Sequence, residues 1–445
     1  MAKHHDLIES ATVKNKVLIV FSMLVFTMVA KTSSAFRLRL PTPHVLVAHL
    51  TSCWLVEVGT SSLNNSQYAH LDLQKPRESC QRKKIMDASG SNVDTNKVLF
   101  GSKSVNKLPD EIKRLDGSSP VVLTSKGKNG TAHGNMLAKI LSDASMTPAA
   151  VLNVAVMHTP KSVTEETLEQ LKAHAADCIV SIGGGSVVGL GKALSIRTGL
   201  KHICIPTTYS GSEMTPILGE TENGRKVTRT DPKILPDFVI YDVDLTMSLP
   251  AATCAYSGVN AMAHAVESLY AVNTSPAISK LALEGIQGLA EALPAIVKDG
   301  SDRSAREKAQ YAAWLCGVCL GTSAMALHHK LCHTLGGSFN LPHAETHTII
   351  LPHAVAYNAP AIPDTMQKMA SVLPGSEGDA IRGLNILLEK LKVSRALKEF
   401  GMREEDIDKA TEIAMSMQYA NPRAMEKDAI RELIRRAWAG EPARA

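Results

Sequence analysis

Apolar residues follow two different rhythms along this chain. From Lys97 to about residue 255, short runs that are apolar throughout alternate with stretches of helical period. KVLFG, PVVLTSKG, AAVLNVAV, DCIVSIGGGS and HICIPTT are each too short for a helix and are bounded by Gly, Pro or polar residues. Such runs predict strands buried on both faces. SVNKLPDEIKRL, the stretch Ala132–Ser142, SVTEETLEQLKAHAA and VVGLGKALSI lie between them and repeat with helical spacing. Ser162 or Thr164 is the expected N-cap of the third of these. The alternation predicts an α/β domain with a parallel sheet covered on both faces. Glu222-Asn223-Gly224 reads as a hairpin turn, leading into an edge ribbon that carries Arg225, Lys226, Arg229 and Lys233.

From Thr253 onward the period is helical almost everywhere. SGVNAMAHAVESLYA, with Ser257 as its expected cap, is followed by helical patterns over Pro276–Val297, Arg303–Met325 and the C-terminal third. The expected architecture is therefore an N-terminal α/β dinucleotide-binding domain with a parallel sheet, an all-α C-terminal domain, and a cleft between them. The corresponding division is 1–94, 95–255 and 256–445.

The first segment differs from both. Val17–Ala30 is an apolar run preceded by Lys14 and Lys16 and followed by small residues. That is the pattern of a signal-like segment, and it is shorter than the ~20 residues a membrane span needs. The polar stretch up to residue 94 has no periodicity and reads as a poorly ordered linker.

Composition narrows the class. A formal charge of +5 over 445 residues and 4% aromatic content give no basis for nucleic-acid binding. Six of the eight cysteines lie beyond residue 170, mostly in apolar surroundings, as reduced buried thiols do. Cys316 and Cys319 form a CxxC inside a very apolar helix pattern and read as core residues. These features favour a cytoplasmic protein.

Two stretches carry candidate chemistry. Gly183-Gly184-Gly185-Ser186 ends an apolar strand and opens a helix, where backbone N–H groups can meet a pyrophosphate. Lys192 on that helix is a candidate phosphate or ribose contact. The loop from Pro206 to Thr215, rich in hydroxyls, follows the next strand, at the end of the sheet where open α/β folds bind ligands. In the helical half, Asn260, His264 and Glu267 fall at i, i+4 and i+7 on one helix face. His328, His329, His333 and His343 lie within sixteen residues, with His329 and His333 on one face. This density points to chemistry. His264, His329 and His343 are candidate metal ligands, with Asn260 as a fourth position, although an amide oxygen is a poor ligand beside a carboxylate.

GGGS, PTTYSGSEMT, NAMAHAVE, HHKLCHTLGGSFNLPH and LPHAVAYN occur in that order. They resemble the iron-containing alcohol dehydrogenase superfamily, and within it the branch of maleylacetate reductases. The resemblance spans about Val98 to Gly440. It implies dinucleotide phosphates on Gly183–Ser186, further cofactor contacts from Thr207, Thr208 and Ser212, and NADH or NADPH as reductant. It places Asn260, His264, His329 and His343 at the Fe2+ or Zn2+ ligand positions, with Asn260 where metal-using relatives carry Asp. His333 matches the histidine that faces nicotinamide and substrate, so His333, His329 and His264 are the expected catalytic residues. A small dicarboxylate substrate, with Lys330 or Arg229 meeting its carboxylates, and a homodimer free of membrane and nucleic acid complete the expectation. Two other readings stay open at this point: a metal-dependent dehydrogenase of small alcohols or aldehydes, and a non-catalytic dinucleotide-binding protein.

Overall fold

The computed structural model describes residues 97–445 except 223, 224 and 418, together with the backbone of short strands at 56–58, 84–86 and 92–94; Arg225 and Lys226 are described as backbone only. The signal-like run 17–30 and the polar linker expected up to residue 94 lie outside the described residues, those strands excepted.

The strands are β1 (Val56–Val58), β2 (Lys84–Met86), β3 (Asn92–Asp94), β4 (Lys97–Phe100), β5 (Pro120–Ser125), β6 (Ala150–Ala155), β7 (Cys178–Gly183), β8 (Lys201–Pro206), β9 (Ile217–Glu222), β10 (Arg225–Thr230) and β11 (Phe238–Tyr241). Seven of them form one parallel sheet in the order β1-β4-β11-β8-β7-β5-β6. β7 is buried at every position, and β5 at all but its last. Continuous apolar runs are what such strands require, because helices cover both of their faces. On one face, Leu108 and Ile112 of α1 (Leu108–Arg114) and Leu137 and Leu141 of α2 (Lys128–Asp143) pack against Val122, Val180 and Ile203. On the other, Leu171 of α3 (Lys161–Ala173) and Val187, Leu190 and Leu194 of α4 (Gly185–Thr198) pack against Val121, Leu123 and Ile179.

Helices alone follow: α5 (Ala251–Leu269), α6 (Pro276–Lys298), α7 (Arg303–Thr322), α8 (Leu327–Phe339), α9 (His343–Asn358), α10 (Pro363–Val372), α11 (Ala380–Leu391), α12 (Asp406–Ser416) and α13 (Lys427–Ala439). α5, α6 and α7 contribute much of one apolar core, and α8, α9, α12 and α13 of another. A third cluster joins the two halves, with Trp314, Leu315 and Val318 of α7 against Val98, Val188, Cys204 and Val239 of the α/β half. The residues described from 97 onward form one compact unit.

Local details depart from expectation for tertiary reasons. α3 begins after Pro160 with no side-chain cap, and the Thr164 hydroxyl donates to Glu220 at 3.1 Å instead. α5 begins at Ala251, so Ser257 is not its cap; the Ser257 hydroxyl lies mid-helix and accepts the Tyr209 N–H at 2.9 Å. β9 and β10 pair antiparallel with Glu222 opposite Arg225, and the turn residues between them lie outside the described residues. Arg306, only 2% exposed, donates to the carbonyls of Gly300 at 2.8 Å and Leu249 at 2.9 Å, and to that of Thr246. The guanidinium thus satisfies backbone oxygens where the chain passes from sheet to helices. Among the described residues, no single helix is long and apolar enough to cross a membrane.

Candidate active site

The site is built from the C-terminal end of the sheet and the floor of the helical half. Gly183 closes β7 at φ +153, and a side chain there would meet Val187 at 2.5 Å. Only glycine allows this turn into α4. α4 starts with Gly184 as its N-cap and no side-chain acceptor, so its first N–H groups remain available to an anion. Gly184, Gly185 and Ser186 line a cavity of about 1480 Å3 together with Thr208, Ser210 and Ser212 from the loop after β8.

That loop is clamped from below. Gly211 has φ +73, and a Cβ there would sit 3.1 Å from Gly317 Cα on α7 and 3.1 Å from His264 Nδ1 on α5. Glu213, 1% exposed, accepts from the Ser210 hydroxyl at 3.2 Å and from the Tyr241 hydroxyl at 2.9 Å. Burial raises the Glu213 carboxyl above its ordinary range.

The helical half supplies the other wall. Asn260, His264, His329, His333 and His343 all line the same cavity as the glycine turn, so the structure brings together histidines from three helices. The His264 and His329 rings are 5.1 Å apart between centroids, and His329 and His333 are 6.3 Å apart. The His343 ring lies 4.2 Å from that of His347, tilted by 51°, with His347 buried in the core. Burial, reinforced by the neighbouring rings of His329 and His333, pushes His264 well below its ordinary value, so its imidazole is neutral. The wholly buried carboxylate of Glu267 accepts from His329 Nδ1 at 2.7 Å. Lys330 also lines the cavity and is the only Lys or Arg among its described lining residues.

Several residues expected at the site stand away from the cavity wall. Lys192 is fully buried and does not line the cavity. Its ammonium donates to Thr215 O at 2.8 Å, Thr215 Oγ1 at 2.9 Å and Ile217 O at 3.0 Å, and also to Ser212 O. It ties down the 212–217 segment rather than facing a phosphate. Burial pushes its pKa down to about 8. Gly183 and Thr207 likewise stand behind the lining: the Thr207 N–H donates to Gly183 O at 3.0 Å, joining the two loops. Arg229 pairs with Asp231 at 3.2 Å on the ribbon and does not reach the cavity wall. Sequence reading placed Glu267 on the same helix face as Asn260 and His264 but gave it no role; its partners on α8 lie about sixty positions further along the chain.

The cavity fits a dinucleotide: the glycine turn leaves backbone exposed where a pyrophosphate needs close approach, and hydroxyls flank it. The four expected metal positions fit a tightly held ion poorly. Asn260 Oδ1, His264 Nδ1 and His329 Nε2 are buried without hydrogen-bond partners, yet the set contains no carboxylate. Among the described residues, the one trio of His, Cys, Asp or Glu side chains whose ligand atoms all lie within 4.8 Å is His328, Cys332 and His347, not His264, His329 and His343.

A parallel sheet that delivers a glycine turn to a floor of imidazoles defines a dinucleotide-dependent oxidoreductase. The profile of iron-containing alcohol dehydrogenases matches residues 95–243, and the C-terminal profile of the same family matches 254–438. The chain belongs to the iron-containing alcohol dehydrogenase family. It is 46% identical to the maleylacetate reductase of Rhizobium sp. (strain MTP-10005) over 344 residues, 77% of this chain and 96% of that one. It is 44% identical to the maleylacetate reductase of Pseudomonas sp. (strain P51) over 348 residues, 78% of this chain and 97% of that one. The crystal structure of maleylacetate reductase from Agrobacterium tumefaciens superposes with a TM-score of 0.73 at 46% identity, covering 78% of this chain and 97% of that chain.

Proposed function

We infer that this chain is a maleylacetate reductase, reducing maleylacetate to 3-oxoadipate with NADH or NADPH. The observation that carries the reading is the shared cavity: Gly184–Ser186, His264, His329, His333 and the cationic Lys330 all face one space.

The reduced nicotinamide supplies a hydride to the alkene carbon β to the ketone. Electron density from the C=C bond then moves to the ketone oxygen, giving an enolate, and the α carbon finally takes a proton. The chain has three tasks. Gly184, Gly185 and Ser186 hold the pyrophosphate by backbone N–H groups, with Thr208 and Ser212 beside it. His329 and His333 line the wall where the oxyanion develops, with the neutral His264 ring next to them. His333 delivers the proton to the α carbon. An enolate is easier to stabilise than the alkoxide of simple ketone reduction, which suits a donor set lacking the anionic ligand that would hold a metal firmly. Were iron or zinc bound, Asn260, His264, His329 and His343 would hold it, and it would act as a Lewis acid at the same oxygen. Lys330 meets one substrate carboxylate.

The same proposal includes the division at about residue 255, supported by the change from strands to helices between Tyr241 and Ala251. It also includes a homodimer in the cytoplasm. Six buried free thiols support a reducing compartment. The test is the fall in reduced-nicotinamide absorbance on mixing protein, cofactor and maleylacetate after chelation. Turnover is expected without added metal. No turnover with maleylacetate, together with metal-rescued oxidation of small alcohols, would overturn the reading.

A further inference from the structure

We propose that Ser323 seats the second carboxylate of the substrate: its hydroxyl donates to the carboxylate on the alkene carbon that takes the hydride, while Lys330 meets the one beyond the ketone. This seat deepens the maleylacetate reductase reading and rests on it.

A dianion brings two carboxylates to a cavity whose described lining holds one Lys, Lys330, and no Arg, and which also carries Glu345 and Asp364. The second carboxylate therefore needs neutral donors. Several lining hydroxyls are committed within the protein. Ser210 donates to Glu213 at 3.2 Å, Thr215 to Ser212 O at 3.1 Å, and Thr322 to Val318 O at 2.9 Å and Cys319 O at 3.2 Å. Ser323 lines the same cavity, and its Oγ is the one serine or threonine hydroxyl oxygen among the described residues that is buried without a hydrogen-bond partner. A buried donor left unmet carries a desolvation cost, which a bound acceptor removes.

The surrounding chain holds this hydroxyl in place. Ser323 follows α7, and its N–H donates to Cys319 O at 3.0 Å. Asn273, from the turn between α5 and α6, grips the residues on either side. Its Nδ2 donates to Thr322 O at 3.0 Å, and its Oδ1 accepts the Ala324 N–H at 2.8 Å. α7 is in turn pressed on the hydroxyl loop after β8: a Cβ at Gly317 would lie 3.0 Å from Gly211 Cα, and one at Gly321 would lie 2.5 Å from Met214 O. Ser323 comes just after Gly321 in the chain, beside the loop that brings Ser210 and Ser212 to the dinucleotide. The alkene carboxylate is bonded to the carbon that receives the hydride, so it belongs on that side, against the nicotinamide. Lys330 lies on α8 with His329 and His333, where the ketone oxygen develops charge, and is left for the carboxylate beyond the ketone.

The test compares full-length Ser323→Ala and Ser323→Thr with wild type. Ser323→Ala removes a hydroxyl that has no partner in the protein, so its Tm should not fall. Its kcat/KM for maleylacetate should fall roughly tenfold or more, the scale of a hydrogen bond to a charged group, with dinucleotide Kd within twofold. Ser323→Thr keeps a hydroxyl and should recover part of the loss. Two analogues locate the contact. With methyl in place of the alkene carboxylate, Ser323→Ala and wild type should converge; with methyl in place of the carboxylate beyond the ketone, the gap should persist. A Ser323→Ala kcat/KM within threefold of wild type, the result if water alone meets the hydroxyl, overturns the proposal. So does a gap that closes with the second analogue instead of the first, or a Ser323→Ala chain that does not fold. A wild type inert toward maleylacetate defeats the substrate reading by itself. Calorimetric titration of the protein loaded with oxidised dinucleotide then decides the seat, with maleate as the probe: binding that weakens about tenfold in Ser323→Ala upholds it, and equal binding, or none by wild type, overturns it.

Discussion

Replacing Lys330 by Met tests how the cavity recognises a dicarboxylate. Lys330 is half-buried on α8 and is the only described Lys or Arg in the cavity lining. Methionine keeps most of the apolar stem and removes the charge. A hydrogen bond to a charged group contributes about 1.5–3 kcal/mol. At about 1.4 kcal/mol per tenfold change, its loss corresponds to a roughly 10- to 150-fold lower kcat/KM. The carboxylate beyond the ketone, which we assign to Lys330, lies away from the C=C bond being reduced and is held equally before and during hydride transfer. Such uniform binding appears in KM, with kcat little changed. The assay is the initial rate of NADH or NADPH oxidation across a maleylacetate series, repeated with an analogue lacking one carboxylate. For that analogue the variant and wild type should converge. Arg229→Met is the control, because Arg229 is already paired with Asp231 and off the cavity wall; its KM should stay within twofold. A KM shift below threefold for Lys330→Met, or a loss confined to kcat, would refute the assignment.

Three further outcomes follow from the same geometry. Asn260→Asp supplies the anionic ligand that the neutral set lacks, so the purified variant should retain more iron or zinc after dialysis than wild type, read by elemental analysis; equal metal content would count against the donor-set argument. Gly211→Ala forces an L residue to φ +73 against Gly317 and His264, costing about 1–2 kcal/mol from the left-handed backbone and lowering the urea midpoint; an unchanged midpoint would contradict the clamp. Burial lowers the Lys192 pKa from 10.5 to about 8, so the folded state binds fewer protons than the unfolded state between those values and stability should rise with pH there, by roughly 3 kcal/mol. Unfolding titrations at pH 8 and 10.5 should show that rise in wild type and not in Lys192→Met.

Much of this was legible from residue order because the signals were local. The apolar runs of β5, β7 and β8 have no interpretation other than strands once helices cover both faces, and GGGS after β7 marks a turn that only glycine can make. What was not legible depended on partners distant in sequence. Lys192 follows the glycine turn by seven positions, which invites a phosphate role, yet two helical turns carry it onto the carbonyls of the 212–217 segment. Ser257 has the look of a cap, but its hydroxyl is taken by Tyr209 N–H from another loop, and α5 starts six residues earlier. Glu267 falls on the right helix face, and nothing local says that its oxygens will find the start of α8.

The placement of charge on α5 explains why this chain and its substrate suit one another. Asn260, His264 and Glu267 share a helix face, yet only Asn260 and His264 line the cavity, while Glu267 turns its charge onto the backbone of α8. A carboxylate at position 260, unmatched by a metal, would repel an incoming carboxylate. At ~5 Å and an effective dielectric constant of ~20, that repulsion is about 3 kcal/mol, or more than a hundredfold in affinity. An amide at 260 removes that penalty, in a cavity whose lining already carries Glu345 and Asp364 beside Lys330. The Glu267 carboxylate, one step outside the cavity behind His329, adds no further negative charge to the wall that meets a dianion. The same substitution that weakens a metal site therefore favours a dicarboxylate, so Asn260→Asp should retain more metal and, once that ion is stripped, show a higher KM for maleylacetate.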